Sequence, residues 1–369
     1  MLAKNSSAHR ESIPADAGAL PRSPRVVFLP NVRMTERRAK LIAEGGPDPR
    51  RESKGFSANG IHVRERDLHP FPLNPMAKKG SFLAGFDPLR ALKVLLFERN
   101  ADVIVSVFES NVFFILLLRA VFRFKPRIVL WEVSGRGWAK RDKVLDFVVP
   151  RVDHVFVLTQ HQKKEVESLY HLRNPAEIVG FAVDDHFYSP HPSKESKDSY
   201  VLAVGDDVGR DYQTLVNACH ALGLPLKLRS STKLPNLGEA ASGVTVVGRQ
   251  TYDELRDLYA GARIVVVPLK SVDYPSGITA IFEALAMGKP LITSRTGTTV
   301  DFISHGENGL LVTPESPSEL SNELGILWND KVLQEKLAQN ARRHLDEKFS
   351  YERYIQRFSH CLRNAMSNK

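Results

Sequence analysis

The sequence predicts an α/β protein with two Rossmann-like domains facing each other across a cleft. Three observations carry this reading. Short apolar runs alternate with helical patterns from residue 26 onward, and such alternation implies a parallel sheet covered on both faces. The scheme restarts at residue 200, after the polar run 189–199 (Ser-Pro-His-Pro-Ser-Lys-Glu-Ser-Lys-Asp-Ser), which marks a domain boundary. At 369 residues the chain is long enough for two such domains.

In the first half, residues 26–30 read as the opening strand and 61–63 as a second. Residues 88–99 are helical, with Leu89, Leu92, Leu95 and Leu96 on one face. A buried strand follows at 103–107, then an apolar helix at 112–122 that is too short to span a bilayer. Strands at 128–131, 155–158 and 178–179 alternate with helices at 143–149 and 160–170. In the second half the expected strands are 200–204, 227–230, 244–247, 264–268, 291–292 and 309–312. Helices are expected at 211–222, 252–260, 319–329 and 331–349, with a last one at 351–364 that packs elsewhere.

The segment 275–294 is the most informative. Ser276 and Gly277 open a helix, with Ser as a favoured N-cap, and Gly288 and Pro290 end it before a buried strand. A Gly-containing loop leading into a helix presents free backbone N–H groups at the positive end of a dipole, which suits a phosphate. Glu283 lies further along the same helix, where a carboxylate can accept hydrogen bonds from sugar hydroxyls. Together they point to a nucleotide ligand. Taken alone, the window also fits an ordinary loop–helix–strand unit with a solvated Glu.

Composition fits a soluble globular protein, at 43% hydrophobic and 25% charged residues. Cys219 and Cys361, far apart in sequence, make neither a disulfide framework nor a zinc site and fit a reducing cytoplasm. Residues 1–24 are polar and Pro-rich, unlike a signal peptide or membrane anchor, and are expected to be disordered. The net charge of +9 lies wholly in residues 1–190, with 30 Lys+Arg against 21 Asp+Glu. Anionic lipid, a diphosphate-linked acceptor or nucleic acid could each be drawn to such a surface, and a merely basic solvated face fits as well. Nucleic acid is the weakest of these, because no aromatic-interleaved or zinc-finger pattern accompanies the charge. Arg119, Arg123, Lys125 and Arg127 follow the apolar run 112–122, so that run is either a buried helix or an interfacial patch.

Residues 283–292 (Glu-Ala-Leu-Ala-Met-Gly-Lys-Pro-Leu-Ile) resemble the donor-site signature of glycosyltransferase family 4, retaining enzymes with the GT-B fold. The family commonly reads Glu-x7-Glu, and here Pro275 stands where the first Glu would be. Residues 200–205, 209–212 with Leu215, 264–268, 305–312, 349–351, 180–184 and 187–190 are similar to further patterns of that family. The resemblance covers most of the second half; the first half shares only the general pattern.

The resemblance implies a GT-B architecture with domains at 25–188 (acceptor) and 200–349 (nucleotide sugar), joined by the linker 189–199. Residues 350–369 would form a helix crossing back to the first domain. It implies Gly205 in a Gly-rich turn and Arg210 as the cation on the leaving diphosphate. Asp206 takes the place of a family Arg, so that either Arg210 serves alone, or Lys289 or Arg295 compensates, or activity is lost. Ser276, Gly277, Ile278 and Thr279 would face the sugar and diphosphate, Glu283 the ribose and Arg249 the base. Acceptor-side catalytic candidates are the strand-end acids Glu109 and Glu132, with 134–137 as an acceptor loop. The implied activity is retaining transfer from a nucleotide-diphosphate sugar to a glycan or lipid-linked acceptor, in cell-surface polysaccharide or glycolipid assembly. No cofactor beyond the donor is implied, and no metal, since the donor segment carries no Asp-x-Asp motif. Peripheral contact with anionic membrane is compatible, and nucleic acid is not a partner. A non-catalytic nucleotide-sugar-binding protein and a sugar-nucleotide epimerase are the alternatives.

Overall fold

The structure, a computed structural model, describes residues 23–70, 73–74, 85–133, 142–190, 199–231, 242–272 and 274–367. The expected disordered segment (through residue 22), the acceptor loop 134–137 and linker residues 191–198 lie outside the described residues.

The first half runs β1 (Arg25–Leu29), α1 (Met34–Ala43), α2 (Arg51–Ala58), β2 (His62–Glu65), α3 (Pro88–Phe97), β3 (Val103–Val107), α4 (Phe113–Leu118), β4 (Arg127–Trp131), α5 (Asp142–Val148), β5 (His154–Val157), α6 (Gln160–Leu169) and β6 (Glu177–Ile178). The second runs β7 (Val201–Val204), α7 (Tyr212–Ala221), β8 (Leu226–Arg229), β9 (Val244–Val247), α8 (Tyr252–Gly261), β10 (Ile264–Val267), α9 (Ile278–Ala286), β11 (Leu291–Ser294), β12 (Leu310–Val312), α10 (Pro317–Asn329), α11 (Lys331–His344) and α12 (Tyr351–Ser367). Two parallel sheets result, ordered β2-β1-β3-β4-β5-β6 and β12-β11-β10-β7-β8-β9. The second is the doubly wound Rossmann order. Its strand order reverses between β7 and β10, the point where such sheets bind ligands. In the first sheet the corresponding point lies between β1 and β3. Runs such as Val-Ile-Val-Ser-Val in β3 and Ile-Val-Val-Val in β10 are buried on both faces, which stiff β-branched side chains suit.

All twelve expected strands are present. The helices show three departures. In α3, Ala91, Val94 and Leu95 face inward while Leu89, Leu92 and Leu96 are exposed. Arg90 sets this rotation. Its buried guanidinium donates to the Pro30 carbonyl at 2.8 Å and to Asn111 Oδ1 at 2.5 Å, and a rotation placing all the leucines inward would break both bonds. The apolar run 112–122 is helical only over α4 and ends at Arg123, which sits in the left-handed region. Val112 and Ile115 are core residues, whereas Leu117 and Val121 are 53% and 77% exposed. Helices α1 and α2 have no apolar stripe to announce them: α1 buries nothing and α2 only Phe56.

The last helix packs against the first sheet, not the second. Helix α11 passes through a π-helical turn, Leu345–Phe349, and α12 then lays Tyr354, Ile355, Phe358, Leu362 and Ala365 over Val26, Phe28, Val103, Val105 and Phe156. Phe358 is fully buried, with ring centroids of Trp131, Phe56 and Phe156 at 5.1, 5.5 and 5.6 Å in edge-on contact. Phe358→Ala is expected to cost about 3–5 kcal/mol of stability, read as a lowered denaturation midpoint.

Candidate functional site

The site is built at the reversal point of the second sheet. After β7, Gly205 takes φ 150°, a conformation that L side chains rarely adopt, and a Cβ there would lie 2.5 Å from the Arg210 guanidinium. Residues 205–211 are pinned to the loop after β10: the Asp211 N–H donates to Pro268 O (3.0 Å) and the Lys270 N–H to Gly209 O (2.9 Å). Asp211 also caps α7, accepting from the Thr214 N–H.

Arg210 is thereby drawn inward until it is 8% exposed, and its Nε and Nη1 have no hydrogen-bond partner. Gly277, the N-cap of α9 at φ 80°, supplies the opposite wall; a Cβ there would come within 3.0 Å of Arg210 Nη1. Gly277 therefore caps the helix in place of Ser276, because the chain must turn through the left-handed region at that point. Ser276 is buried beside it with an unpartnered Oγ. Buried N–H groups without partners are costly unless something supplies the missing acceptor. A guanidinium fork facing the start of a helix is the donor set a diphosphate requires.

A cavity of about 330 Å³ opens here, and Gly205, Asp206, Asp207, Arg210, Arg229 and Glu283 are among its lining residues. Asp206 does not oppose an anion in it. Arg229, at the end of β8, donates to Asp206 Oδ2 at 2.8 Å, and the Ser231 N–H donates to Oδ1. Burial works to raise the Asp206 carboxyl, but the Ser231 N–H and the Arg229 charge outweigh it and hold it below the usual carboxylate range. Arg229 leaves its own Nε unpartnered on the same wall and is a second candidate cation. Its only sequence signal is an Arg closing an alternating strand, which reads equally as a solvated charge.

Lys289 does not take up that role: its ammonium donates to the carbonyls of Ala260 (2.6 Å) and Ala262 (3.1 Å) at the end of α8. Arg295 is exposed just past β11, outside the cavity wall. Arg249 is also outside it, in an exposed ion pair at 3.2 Å with Glu44, the residue after α1. Glu283 lines the cavity but is only 6% exposed, and accepts from Tyr259 Oη at 2.7 Å. Burial raises its carboxyl above the usual range, against the opposing hydrogen bonds of Tyr259 and Tyr188 and the charges of Arg210 and Arg229. Ile278 and Thr279, the first residues of α9, line this cavity and a neighbouring one of about 260 Å³ between the two sheets.

The first sheet contributes Glu132 to that neighbouring cavity. Phe108 after β3 and Glu132 after β4 both adopt left-handed backbone, at φ 62° and 56°. Each such residue costs on the order of 1–3 kcal/mol and clusters at functional sites. Glu132 is half-buried and also borders a further cavity lined by Arg37, Glu52 and Trp131. Burial pushes its carboxyl up to about 7, with Arg37 opposing and Glu52 adding to the shift. Glu109 is separated from all of this. The turn at Phe108 sends it inward, where it is fully buried, both carboxylate oxygens lack a partner, and it lines none of these cavities. The expectation that Glu109 meets an acceptor is corrected accordingly.

Two parallel Rossmann-like sheets with cavities between their carboxyl ends define the GT-B class, and solved structures agree. Sucrose-phosphate synthase of Thermosynechococcus elongatus superposes over 94% of this chain and all of its own, with TM-score 0.72 and 18% identity. Anabaena HepE in complex with UDP covers 92% of this chain and all of its own, with TM-score 0.69 and 15% identity. More narrowly, residues 236–344 match the family described as Glycosyl transferases group 1. Two uncharacterized glycosyltransferases of Methanocaldococcus jannaschii are similar in sequence. One is 28% identical over 172 residues, 47% of this chain and 39% of that protein; the other is 30% identical over 231 residues, 61% of each. The chain thus spans less than two thirds of the length of these relatives. Among the described residues, no helix is long and apolar enough to cross a membrane.

Proposed function

We propose that the protein is a retaining glycosyltransferase that moves a sugar from a nucleoside-diphosphate sugar to a hydroxyl of a glycan or lipid-linked acceptor. The observation that carries this is the buried Arg210 guanidinium, with two N–H-bearing nitrogens unpartnered, between Gly205 and the start of α9. The UDP complex of HepE, a protein of the same fold, supports the ligand class.

In this reading residues 200–349 hold the donor and 25–188 the acceptor. The bond from the anomeric carbon to the diphosphate oxygen breaks and the electron pair leaves on the diphosphate, where Arg210, Arg229 and the α9 N–H groups stabilise the charge. The acceptor oxygen bonds to the same carbon, and its proton passes to the Glu132 carboxylate. The donor is the only small molecule the reaction needs, with no metal or further cofactor. In this reading the acceptor is a growing cell-surface glycan or glycolipid. Exposed Leu117 and Val121 beside the basic Arg123 and Lys125 would give peripheral contact with the inner, anionic membrane face in the cytoplasm.

The test is incubation with UDP-, GDP- and ADP-hexoses, following nucleoside diphosphate release and the anomeric configuration of the product by NMR. Acceptor-dependent release with retained configuration is expected. Nucleotide binding without turnover across donors and acceptors would favour a binding protein, a reading that the absence of an acid at Pro275 supports. Failure to bind any nucleotide would overturn both.

A further inference from the structure

We propose that Asp207 selects the transferred sugar: its carboxylate accepts hydrogen bonds from sugar hydroxyls, with Tyr274 as its positioning residue, so the donor sugar is a neutral polyhydroxylated ring and a uronic acid is rejected. This rests on the glycosyltransferase reading above.

Position is the first argument. Asp207 belongs to the wall shared by the cavity of Arg210 and the cavity of Glu132, together with Pro275, Ile278 and Thr279. With the diphosphate on one side and the acceptor on the other, the sugar being moved lies against that wall. Asp207 and Thr279 are its two side chains able to hydrogen-bond a hydroxyl.

Orientation is the second. Tyr274 Oη donates to Asp207 Oδ1 at 2.7 Å, and the Gly209 N–H donates to the same oxygen at 2.5 Å. Oδ2 takes part in neither bond. Gly209 has no room for a side chain, since a Cβ would sit 2.9 Å from Asp207 Oδ1, Tyr274 Oη and Ser276 Oγ alike. The carboxylate is therefore held by two donors on Oδ1, the Tyr274 hydroxyl and the Gly209 N–H. Burial and the adjoining Asp207 hydrogen bond both raise the Tyr274 phenol above its ordinary range, so it remains a donor.

Charge is the third. Asp206 is neutralised by Arg229, but among the described residues no Lys or Arg is paired with Asp207. An anionic oxygen with free lone pairs is a strong acceptor for hydroxyls and repels a second carboxylate. It also supplies, from the loop after β7, an acid that Pro275 cannot offer from the loop before α9.

The experiment is calorimetry on the full chain, wild type, Asp207→Asn and Tyr274→Phe, with UDP, GDP and ADP, their glucose or mannose conjugates, and UDP-glucuronate. Wild type is expected to bind its hexose conjugate more tightly than the bare diphosphate, and UDP-glucuronate more weakly than the hexose conjugate of the same base. Asp207→Asn is expected to keep the affinity for the bare diphosphate, which also reports an intact fold. It should lose about tenfold or more of the gain from the hexose and narrow the discrimination against the uronate. Tyr274→Phe should show a smaller loss of the same kind. An unchanged ratio of hexose conjugate to diphosphate in Asp207→Asn overturns the proposal alone, as does equal loss of both ligands. Absence of nucleotide binding by the wild type overturns it together with the function on which it rests.

Discussion

Arg210→Ala is expected to remove detectable nucleoside diphosphate binding and to lower kcat by about 10²–10³-fold, the usual cost of losing one donor to a developing oxyanion. Truncation takes the guanidinium from between Gly205 and Gly277 and leaves space at the start of α9. The loss reflects charge and geometry together. Arg210→Lys keeps the charge but not the planar fork, so it should recover only part of the activity. Calorimetric titration and steady-state kinetics on both variants check this. Wild-type affinity in Arg210→Ala would remove the residue from the site. The same measurement on Arg229→Ala should show a smaller loss, because Arg229 shares its charge with Asp206.

Glu132→Gln is expected to reduce kcat by about 10²–10⁴-fold with little change in donor affinity. The sign of the pH dependence follows from its carboxyl, which burial pushes up to about 7. As the group that takes the acceptor proton it must be ionised, so wild-type activity should rise as pH increases through about 7 and level off above it. Glu132→Gln should lose that limb while donor binding is kept. A profile that stays flat across pH 6–8 in the wild type would assign the proton to another group.

Much of this arrangement was legible in the residues. The strands announced themselves because a parallel sheet covered on both faces needs unbroken β-branched runs, and Val103–Val107 and Ile264–Val267 are such runs. Arg210 could be placed because it falls where the family resemblance puts a cation, and Gly277 because a glycine in a loop that opens a helix suits a phosphate. Other features depend on contacts between distant residues. Whether Asp206 opposes a diphosphate is decided by Arg229, 23 residues away. Lys289 looked available for phosphate until α8 presented two carbonyls to it. Glu109 and Glu132 look alike as strand-end acids; the left-handed turn at Phe108 buries one, while the equivalent turn at Glu132 leaves the other on a cavity wall. The leucines of α3 misled because the buried Arg90, a residue rarely found inside, determines which face turns inward.

The crossing of α12 also has a bearing on how the protein is made. Synthesis delivers the first sheet early, yet the cover over Phe28, Val105 and Phe156 is encoded in residues 351–367. During translation that aromatic face waits, without its partner, while the whole second half is made and folds. The nascent N-terminal half is therefore the species most prone to association on the ribosome. Separating the halves at the linker would leave the first without its own lid, while supplying the 351–367 segment alongside it should restore its solubility.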